Sequence, residues 1–173
     1  MSIVTVVGNP RAGSRTYDVA VQATRTIARR IGREGPSEIV DLSALAPLLF
    51  APEASSAVEA ALELLTQVSV LVVASPTYKG TYTGLLKTFL DRLPGGALAS
   101  TVALPLLVMG DARHALAVEV HFRPLLVELG ATVPTPGLAL LESEIPDLDA
   151  VLGRWAGRVA PQVAAALREG APA

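Results

Sequence analysis

Apolar and polar positions change along the chain in a pattern that predicts strands and helices in alternation. The predicted strands are short apolar runs, and the predicted helices are longer segments whose apolar residues recur at helical spacing. The strands are expected at residues 3–7, 38–42, 68–74, 101–109 and 132–141, the last of them interrupted by Pro134 and Pro136. The helices are expected at residues 17–31, 55–67, 83–93, 114–129 and 148–167, with a kink or a break at Pro161.

This alternation of strand and helix predicts an α/β fold built on a doubly wound parallel sheet, with helices on both faces. The run 68–74 is almost wholly apolar, as expected of a strand that is covered on both sides. Five such strands fit the flavodoxin-like order 2-1-3-4-5, in which a ligand binds at the carboxyl ends of strands one and three. No linker, repeat or low-complexity segment divides the sequence. We therefore expect a single domain over residues 1–173.

Composition and charge exclude several classes of function. The formal charge of −2 argues against nucleic acid or an anionic membrane as a partner. The absence of Cys excludes disulfides, thiolate catalysis and Cys-based metal sites. His114 and His121 have no third ligand at suitable spacing, so no metal site is expected. The first residues lack a basic leader, and no apolar run is long enough to span a bilayer, so we expect a cytoplasmic protein.

The turn after the first predicted strand has the chemistry of a phosphate site. A helix N-terminus offers unpaired N–H groups, Gly allows an anion to approach the backbone, and Arg adds a charged fork. A Walker loop would need Lys and then Ser or Thr where Ser14 and Arg15 stand, and Pro10 occupies the middle glycine position of the dinucleotide fingerprint. The turn therefore predicts a monophosphate cradle, or else a capped turn in which Ser14 or Thr16 is an ordinary N-cap. Its sequence is Gly8-Asn9-Pro10-Arg11-Ala12-Gly13-Ser14-Arg15-Thr16.

A second polar loop follows the third predicted strand, at the same edge of the predicted sheet. Tyr78 can stack on or flank a planar ring, and Gly80 can admit a flat ligand against the backbone. Lys79 either favours negative charge on that ring or is a solvated surface residue. A third wall, Met109-Gly110-Asp111-Ala112, ends the fourth strand. A flat ring that carries one phosphate, bound in this crevice, points to FMN. The second loop reads Ser75-Pro76-Thr77-Tyr78-Lys79-Gly80-Thr81-Tyr82-Thr83-Gly84.

The two loops together resemble the NADPH-dependent FMN reductase family, with the closest likeness to reductases that serve sulfonate-desulfonating monooxygenases. The resemblance rests on Gly8-Asn9-Pro10-Arg11-x-x-Ser14-x-Thr16 and on Ser75-Pro76-Thr77-Tyr78-Lys79-Gly80-x-Tyr82-x-Gly84-x-x-Lys87. It also covers the motifs His114-Ala-Leu-Ala-Val-Glu119 and Arg123-Pro124-Leu125-Leu126. It implies FMN and NADPH or NADH as cofactors.

The resemblance also implies which residues bind FMN. Its phosphate contacts fall on Asn9, Arg11, Ser14 and Thr16, with Arg15 between them as a further candidate. Its ring contacts fall on Pro76, Thr77, Tyr78, Lys79 and Gly80, with Gly110 nearby. Two residues depart from the family pattern. Asn9 replaces a more usual Ser, and Asp111 stands where relatives often have a second Gly, which places an acid near the ring or the nicotinamide path.

The predicted activity is hydride transfer from NAD(P)H to FMN. Because the cofactor carries this chemistry, we expect no catalytic side chain. The reduced FMN would then supply a partner monooxygenase. One alternative is a reductase that retains FMN and reduces a quinone, an azo dye or a metal oxyanion. Another is a flavodoxin-like electron carrier that does not oxidise NAD(P)H, and a third is a binding protein without flavin.

Two helices carry more apolar positions than one narrow buried stripe requires. We expect helix 83–93 and the segment around Phe122 to pair in a homodimer or a homotetramer, with Phe89 and Phe122 at the interface. The alternative is that both helices bury these faces within their own subunit. Pro124 lacks an N–H, which predicts a kink or a bulge in helix 114–129. The family resemblance implies a π-type bulge near Val120-His121-Phe122, close to the flavin and to a tetramer interface.

Overall fold

The computed structural model describes residues 2–33 and 37–169 of the chain. Its five strands form one sheet in the order β2-β1-β3-β4-β5, and all four neighbouring pairs are parallel. The predicted flavodoxin-like order is therefore confirmed. The predicted domain limits, residues 1 and 173, lie outside the described residues. The strands are β1 (Ile3–Val7), β2 (Glu38–Asp41), β3 (Val70–Pro76), β4 (Val102–Met109) and β5 (Leu138–Leu141).

Helices cover both faces of the sheet, and each face has its own hydrophobic core. Helices α1 and α6 pack on one face, where they enclose alternate strand residues such as Val70 and Val72. Helices α3, α4 and α5 pack on the other face against the intervening residues, such as Leu71 and Val73. This explains why β3 and β4 are buried along their whole length. The α-helices are α1 (Arg15–Arg30), α2 (Leu42–Leu45), α3 (Ser56–Thr66), α4 (Gly84–Leu90), α5 (Arg123–Glu128) and α6 (Leu148–Glu169).

The edge strand β2 ends earlier than the sequence predicted. Asp41 is its last residue, and the Asp41 carboxylate accepts a hydrogen bond of 3.0 Å from the Ser43 backbone N–H. This N-cap starts the one-turn helix α2 at Leu42, and a 3₁₀ turn, Ala46–Leu48, follows. The sequence analysis missed both elements because it placed Asp41 inside the strand 38–42, although Asp is a common N-cap residue.

The prolines affect β5 and α6 in different ways. Pro134 and Pro136 cannot donate to a strand ladder, so β5 is confined to Leu138–Leu141. In contrast, α6 continues through Pro161 as one helix, so the expected break is wrong. The carbonyl that Pro161 leaves without a partner belongs to Gly157, which is exposed to solvent. Buried residues on both sides, Ala156 and Val163 among them, keep the helix packed on the core.

The predicted helix 114–129 divides into three different helical segments. A 3₁₀ turn, Ala112–His114, is followed by a π-helix, Val118–Phe122, and then by α5. The Arg123 N–H bonds to the Val118 carbonyl, five residues earlier. This wide turn places Pro124 in the first turn of α5, where a missing N–H costs little. The predicted bulge is confirmed, and it takes the form of a π-helix.

Candidate functional site

The loops after β1, β3 and β4 meet at the carboxyl edge of the sheet, as the sequence predicted. The Gly8 N–H donates to the Ala74 carbonyl of β3 at 2.7 Å. The Thr77 N–H donates to the Val108 carbonyl of β4 at 2.8 Å. These bonds extend the sheet by one residue and bring the three loops side by side. The predicted cofactor-binding residues all lie in these three loops or at the ends of the adjoining elements, and we call this edge of the sheet the crevice.

Short polar side chains shape the loop between β1 and α1. Asn9 is buried, and both polar atoms of its side-chain amide form hydrogen bonds within the loop. Its Nδ2 donates to Thr16 Oγ1 at 3.2 Å, and its Oδ1 accepts the Arg11 N–H at 3.0 Å. Ser14 is the N-cap of α1, because its Oγ accepts the Tyr17 N–H at 3.2 Å. Ser14 therefore has the capping role that the sequence analysis kept as an alternative.

The backbone of this loop presents unpaired donors. Within the described residues, no backbone N–H from Ala12 to Thr16 has a hydrogen-bond acceptor. Gly13 adopts a positive φ of 61°, a conformation that L side chains rarely take. These N–H groups lie at the amino end of α1, where the helix dipole adds partial positive charge. The arrangement fits a bound anion.

The two arginines of the loop have different surroundings. The Arg15 guanidinium pairs with Glu142 at 3.0 Å, next to β5. Arg11 is exposed and makes no ion pair with any residue that the structure describes. Arg11 is therefore the cation of this loop that is free to meet an anion, whereas Arg15 already has a partner.

The loop after β3 is a tight turn between Tyr78 and Thr81. The Tyr78 N–H donates to the Thr81 carbonyl at 2.8 Å, and the Thr81 N–H donates to the Tyr78 carbonyl at 3.3 Å. The two central residues, Lys79 and Gly80, have positive φ values of 53° and 86°. This is the geometry of a type I′ turn. A non-glycine residue in this region is strained, and such strain is concentrated at functional sites.

Two buried hydroxyl groups in this loop lack partners within the described structure. They are Thr77 Oγ1 and Thr81 Oγ1. A buried hydroxyl without a hydrogen bond costs roughly 1–3 kcal/mol, so such groups normally meet a protein atom, a water molecule or a ligand. Thr77 directly precedes Tyr78, and Thr81 pairs with Tyr78 across the turn, where the Tyr78 side chain is 42% exposed. The residues present therefore fit a ligand that has a flat ring with a polar edge, such as FMN.

Thr83 joins the β3 loop to the β1 loop. Its Oγ1 donates to the Gly8 carbonyl at 2.5 Å and accepts the Leu86 N–H, which caps α4. Its own N–H donates to Ser75 Oγ at 3.0 Å. A Cβ on Gly8 would lie 2.7 Å from the Leu86 Cβ, so only glycine fits against α4 at this position. The sequence analysis did not assign Ser75 and Thr83 a role in the site, although Thr83 directly before Gly84 is a recognisable N-cap signal.

The loop after β4 forms the third wall of the crevice. Asp111 accepts the Arg113 N–H at 2.9 Å and pairs with the Arg113 guanidinium at 2.6 Å. These bonds from Arg113 lower the pKa of Asp111 to about 2, so its carboxylate is ionised at neutral pH. The next residue in the turn, His114, approaches the β3 loop, because its Nδ1 is 4.0 Å from the position of a Cβ on Gly80. The charge of Asp111 is therefore paired with Arg113 within the same loop.

Two aromatic residues expected at a subunit interface lie inside the subunit. Phe89 and Phe122 are fully buried, with 0% of their surface exposed, so this part of the prediction is wrong. Phe122 packs on Tyr82, with the ring centroids 5.3 Å apart. Most apolar residues of α4 likewise face the core of their own subunit. The exposed apolar residues near the π-helix are Leu116 (71%), Val120 (56%) and Val127 (54%).

A further cavity lies away from the three loops in the described structure. A cavity of about 750 Å³ lies at the amino ends of the strands, where Arg25, Arg29 and Arg33 line it, and it contains none of the predicted site residues. Among residues 2–33 and 37–169, no three His, Asp or Glu side chains gather as metal ligands. No helix in the same residues is long and apolar enough to cross a membrane.

The sheet order and the three loops at its carboxyl edge define a flavodoxin-like protein. The sequence model for NADPH-dependent FMN reductase matches residues 1–144, and the chain therefore belongs to this family. The predictions of the family, of an oxidoreductase and of FMN with NADPH or NADH as cofactors are confirmed.

Relatives and solved structures agree with this assignment. The chain is 36% identical over 149 residues to the FMN reductase (NADPH) of Escherichia coli K12, covering 85% of this chain and 76% of the relative. It is 30% identical over 151 residues to the NADH-dependent FMN reductase SfnF of Pseudomonas fluorescens, covering 85% and 80%. The crystal structure of an NADH:FMN oxidoreductase superposes with a TM-score of 0.82 at 30% identity, covering 92% of this chain and 88% of the other.

Proposed function

We propose that this protein reduces FMN with NADPH or NADH in the crevice at the carboxyl edge of the sheet. The observation that carries the proposal is the row of unpaired N–H groups from Ala12 to Thr16, with the unpaired Arg11 beside it. A phosphate monoester at this position would satisfy these donors and complete the capped end of α1. Asn9, Ser14 and Thr16 would hold the loop in shape, and Arg15 would add charge at its rim.

The ring of the flavin would lie against the loop after β3. Pro76, Thr77, Tyr78, Lys79 and Gly80 would contact it, and Gly110 and Asp111 would close the far side. The hydroxyls of Thr77 and Thr81 are the groups that a polar ring edge would satisfy. Lys79 would stabilise the negative charge that develops on the ring during reduction.

Bound FMN supplies the redox chemistry, accepting hydride from the nicotinamide. The chain's own contribution is to hold the two rings at reacting distance in a fixed orientation. We therefore assign no catalytic side chain. His114 lies near the turn at Gly80 and lines the crevice, but the hydride transfer requires no proton donor at this position.

The reduced FMN would pass to a partner monooxygenase in the cytoplasm. The likeness of both loops to reductases of sulfonate monooxygenase systems supports this proposal. The net charge of −2 provides no attraction to nucleic acid or to an anionic membrane.

The functional species would be a homodimer or a homotetramer. The exposed apolar residues Leu116, Val120 and Val127 support it, because all three belong to the segment that contains the π-helix and α5. Exposed large apolar side chains that are close in the sequence are expected at an interaction surface. A second copy placed there would lie close to the crevice and would cover the π-helix.

An anaerobic mixing experiment tests the proposal. Purified protein is mixed with FMN and with NADPH or NADH, and the nicotinamide and flavin absorbance bands are followed together. A reductase bleaches both bands with equal stoichiometry. A flavodoxin-like carrier binds FMN but leaves the nicotinamide band unchanged, and a protein that leaves both unchanged and does not bind FMN contradicts the assignment.

A further inference from the structure

An ion pair within the π-helix segment fixes several backbone groups at once. The Arg123 guanidinium donates to Glu119 Oε2 at 2.6 Å and to the Val133 carbonyl at 2.6 Å, and also to the Thr135 carbonyl. Glu119 Oε1 accepts the Gly137 N–H at 2.6 Å. We call this set of contacts the Glu119–Arg123 clamp. It ties the π-helix to segment 133–137, whose prolines prevent it from joining the sheet.

The clamp and the packing around Gly137 leave the π-helix little freedom. A Cβ on Gly137 would lie 2.3 Å from Val118 Cγ2, so the backbone of segment 133–137 touches the π-helix directly. A π-helix is intrinsically less favourable than an α-helix and persists where tertiary contacts hold it. Here those contacts are the clamp at Glu119 and Arg123 and the close approach at Val118.

The π-helix in turn supports the loop of the crevice that faces the flavin ring. Phe122, its last residue, is fully buried and packs on Tyr82. Tyr82 lies between Thr81, which closes the type I′ turn, and Thr83, which bonds to the Gly8 carbonyl. A shift of Phe122 would therefore move the turn that carries Lys79 and Gly80.

We propose that the Glu119–Arg123 clamp is a positioning element of the flavin site, which holds the π-helix so that Phe122 and Tyr82 fix the Tyr78–Thr81 turn for FMN. This inference rests on the proposed function. Within the described structure, the hydrogen bonds of both clamp side chains go to each other and to segment 133–137, so both act on the crevice through Phe122 and Tyr82. Removing the clamp should weaken FMN binding while leaving the rate of the bound complex nearly unchanged.

The test compares clamp variants with a matched control. Glu119→Gln keeps an acceptor for the Gly137 N–H but loses the charge facing Arg123, and Glu119→Ala loses both. Glu59→Gln is the control, because it breaks the exposed Arg92–Glu59 pair of 2.9 Å, which has no link to the π-helix. FMN dissociation constants are measured at a temperature at which circular dichroism shows every variant folded.

We expect both Glu119 variants to raise the FMN dissociation constant by roughly twofold to thirtyfold, Glu119→Ala more than Glu119→Gln, with kcat at saturating FMN near the wild-type value. The control should bind FMN like the wild type. Should Glu119→Ala fail to fold, Glu119→Gln decides the outcome. Wild-type FMN affinity in a folded Glu119→Gln variant overturns the proposal, whereas a wild-type protein that does not bind FMN overturns the proposed function itself.

A double-mutant cycle tests whether the clamp acts through Phe122. Phe122→Leu alone should also weaken FMN binding, because it removes the ring that packs on Tyr82. If the clamp acts through Phe122, the combination of Glu119→Gln with Phe122→Leu should weaken binding by less than the product of the two single effects. If the loss of FMN affinity in the double variant equals the product of the two single losses, the two residues act independently. This result would refute the proposal that the clamp acts through Phe122.

Discussion

Arg11 lies in the loop after β1 and Arg15 is the first residue of α1, and of these two only Arg11 lacks an acidic partner in the described structure. The Glu142 carboxylate already meets Arg15 at 3.0 Å. An arginine without a partner beside unpaired N–H groups is available to form a charge-assisted bond to phosphate. The two side chains therefore offer a matched comparison within one loop.

We predict that Arg11→Ala weakens FMN binding by roughly 1.5–3 kcal/mol, the range for hydrogen bonds to charged groups. Riboflavin, which has no phosphate, should bind the variant and the wild type alike. Arg15→Ala should weaken FMN binding less than Arg11→Ala. Fluorescence titration with both flavins measures these differences, and equal losses for FMN and riboflavin would show that the loop does not hold phosphate.

Gly8 and Gly84 provide a second matched pair. A Cβ on Gly8 would lie 2.7 Å from the Leu86 Cβ, whereas Gly84 has open space around it and begins α4. We predict that Gly8→Ala lowers the free energy of unfolding by roughly 1–3 kcal/mol, the usual cost of overpacking. Gly84→Ala should raise it by about 0.4–1 kcal/mol, because Ala reduces the entropy of the unfolded chain. Urea denaturation of both variants checks the contrast, and similar losses for both would contradict it.

At the level of elements, Glu119 links the stability of the π-helix to pH. Burial of the Glu119 carboxyl raises its pKa, but hydrogen bonds from Arg123 and from the Gly137 N–H outweigh this effect, and the pKa lies below its ordinary value of 4.5. A carboxylate with a lowered pKa in the folded state stabilises the fold above its unfolded pKa. That contribution is lost as the pH falls through the folded pKa.

We therefore predict that the wild type loses stability more steeply than Glu119→Gln as the pH falls below 4.5. The difference between the two proteins should be largest near neutrality and should narrow in acid. Chemical denaturation at a series of pH values gives the two curves. Parallel curves would mean that Glu119 is not ionised in the folded protein or gains nothing from its partners.

The sequence predicts elements well where one pattern extends over the whole element. The runs of β1, β3 and β4 are almost wholly apolar, and the structure contains each of them with the expected order in the sheet. The prediction is poorer where a single hydrogen bond determines where an element begins or ends. The Asp41 side chain ends β2 and starts α2, and an Asp in so short a segment does not by itself distinguish an N-cap from an exposed strand residue. The bulge near Pro124 was expected from the missing N–H, but its extent over Val118–Phe122 depends on segment 133–137, which is distant in sequence.

The crevice shows the same division between local and distant information. Sequence motifs predicted the three loops and their candidate residues, because Gly, Pro and short polar residues in strand-to-helix turns have clear chemical roles. The bond between Thr83 and the Gly8 carbonyl joins residues 75 positions apart, and no local pattern indicates it. Likewise, the burial of Phe89 and Phe122 within the subunit could not be separated from burial at an interface by helical periodicity alone.

At the scale of the whole molecule, the surface that would bind a second copy can be tested separately from the core. Leu116 is 71% exposed and Val120 is 56% exposed, whereas Phe122 is fully buried. We predict that Leu116→Glu or Val120→Glu dissociates the assembly while each subunit remains folded, because a charge buried at an interface without a partner is strongly unfavourable. Sedimentation at micromolar concentration measures the change.

The control for this prediction is Ile39→Ser, at the opposite edge of the sheet on β2, where 37% of the side chain is exposed. It should leave the assembly intact. A wild-type protein that sediments as a monomer and reduces FMN at full rate would contradict the proposed assembly. A dimer or tetramer that survives both glutamate substitutions would show that other residues form the interface.

The hydrogen bonds of the Thr83 hydroxyl limit how the loops of this fold can change in sequence during evolution. Because this hydroxyl joins the Gly8 carbonyl to the cap of α4, the loop after β1 and the loop after β3 are linked through one side chain. A substitution that reshapes one loop will therefore also alter the other, and most such changes will be harmful. Evolution towards a new electron acceptor should proceed through the loop after β4, from Gly110 to His114, which has its own hydrogen bonds and no bond to Thr83. We therefore expect the sequences of the β1 and β3 loops to be inherited together, while the loop after β4 changes with the acceptor.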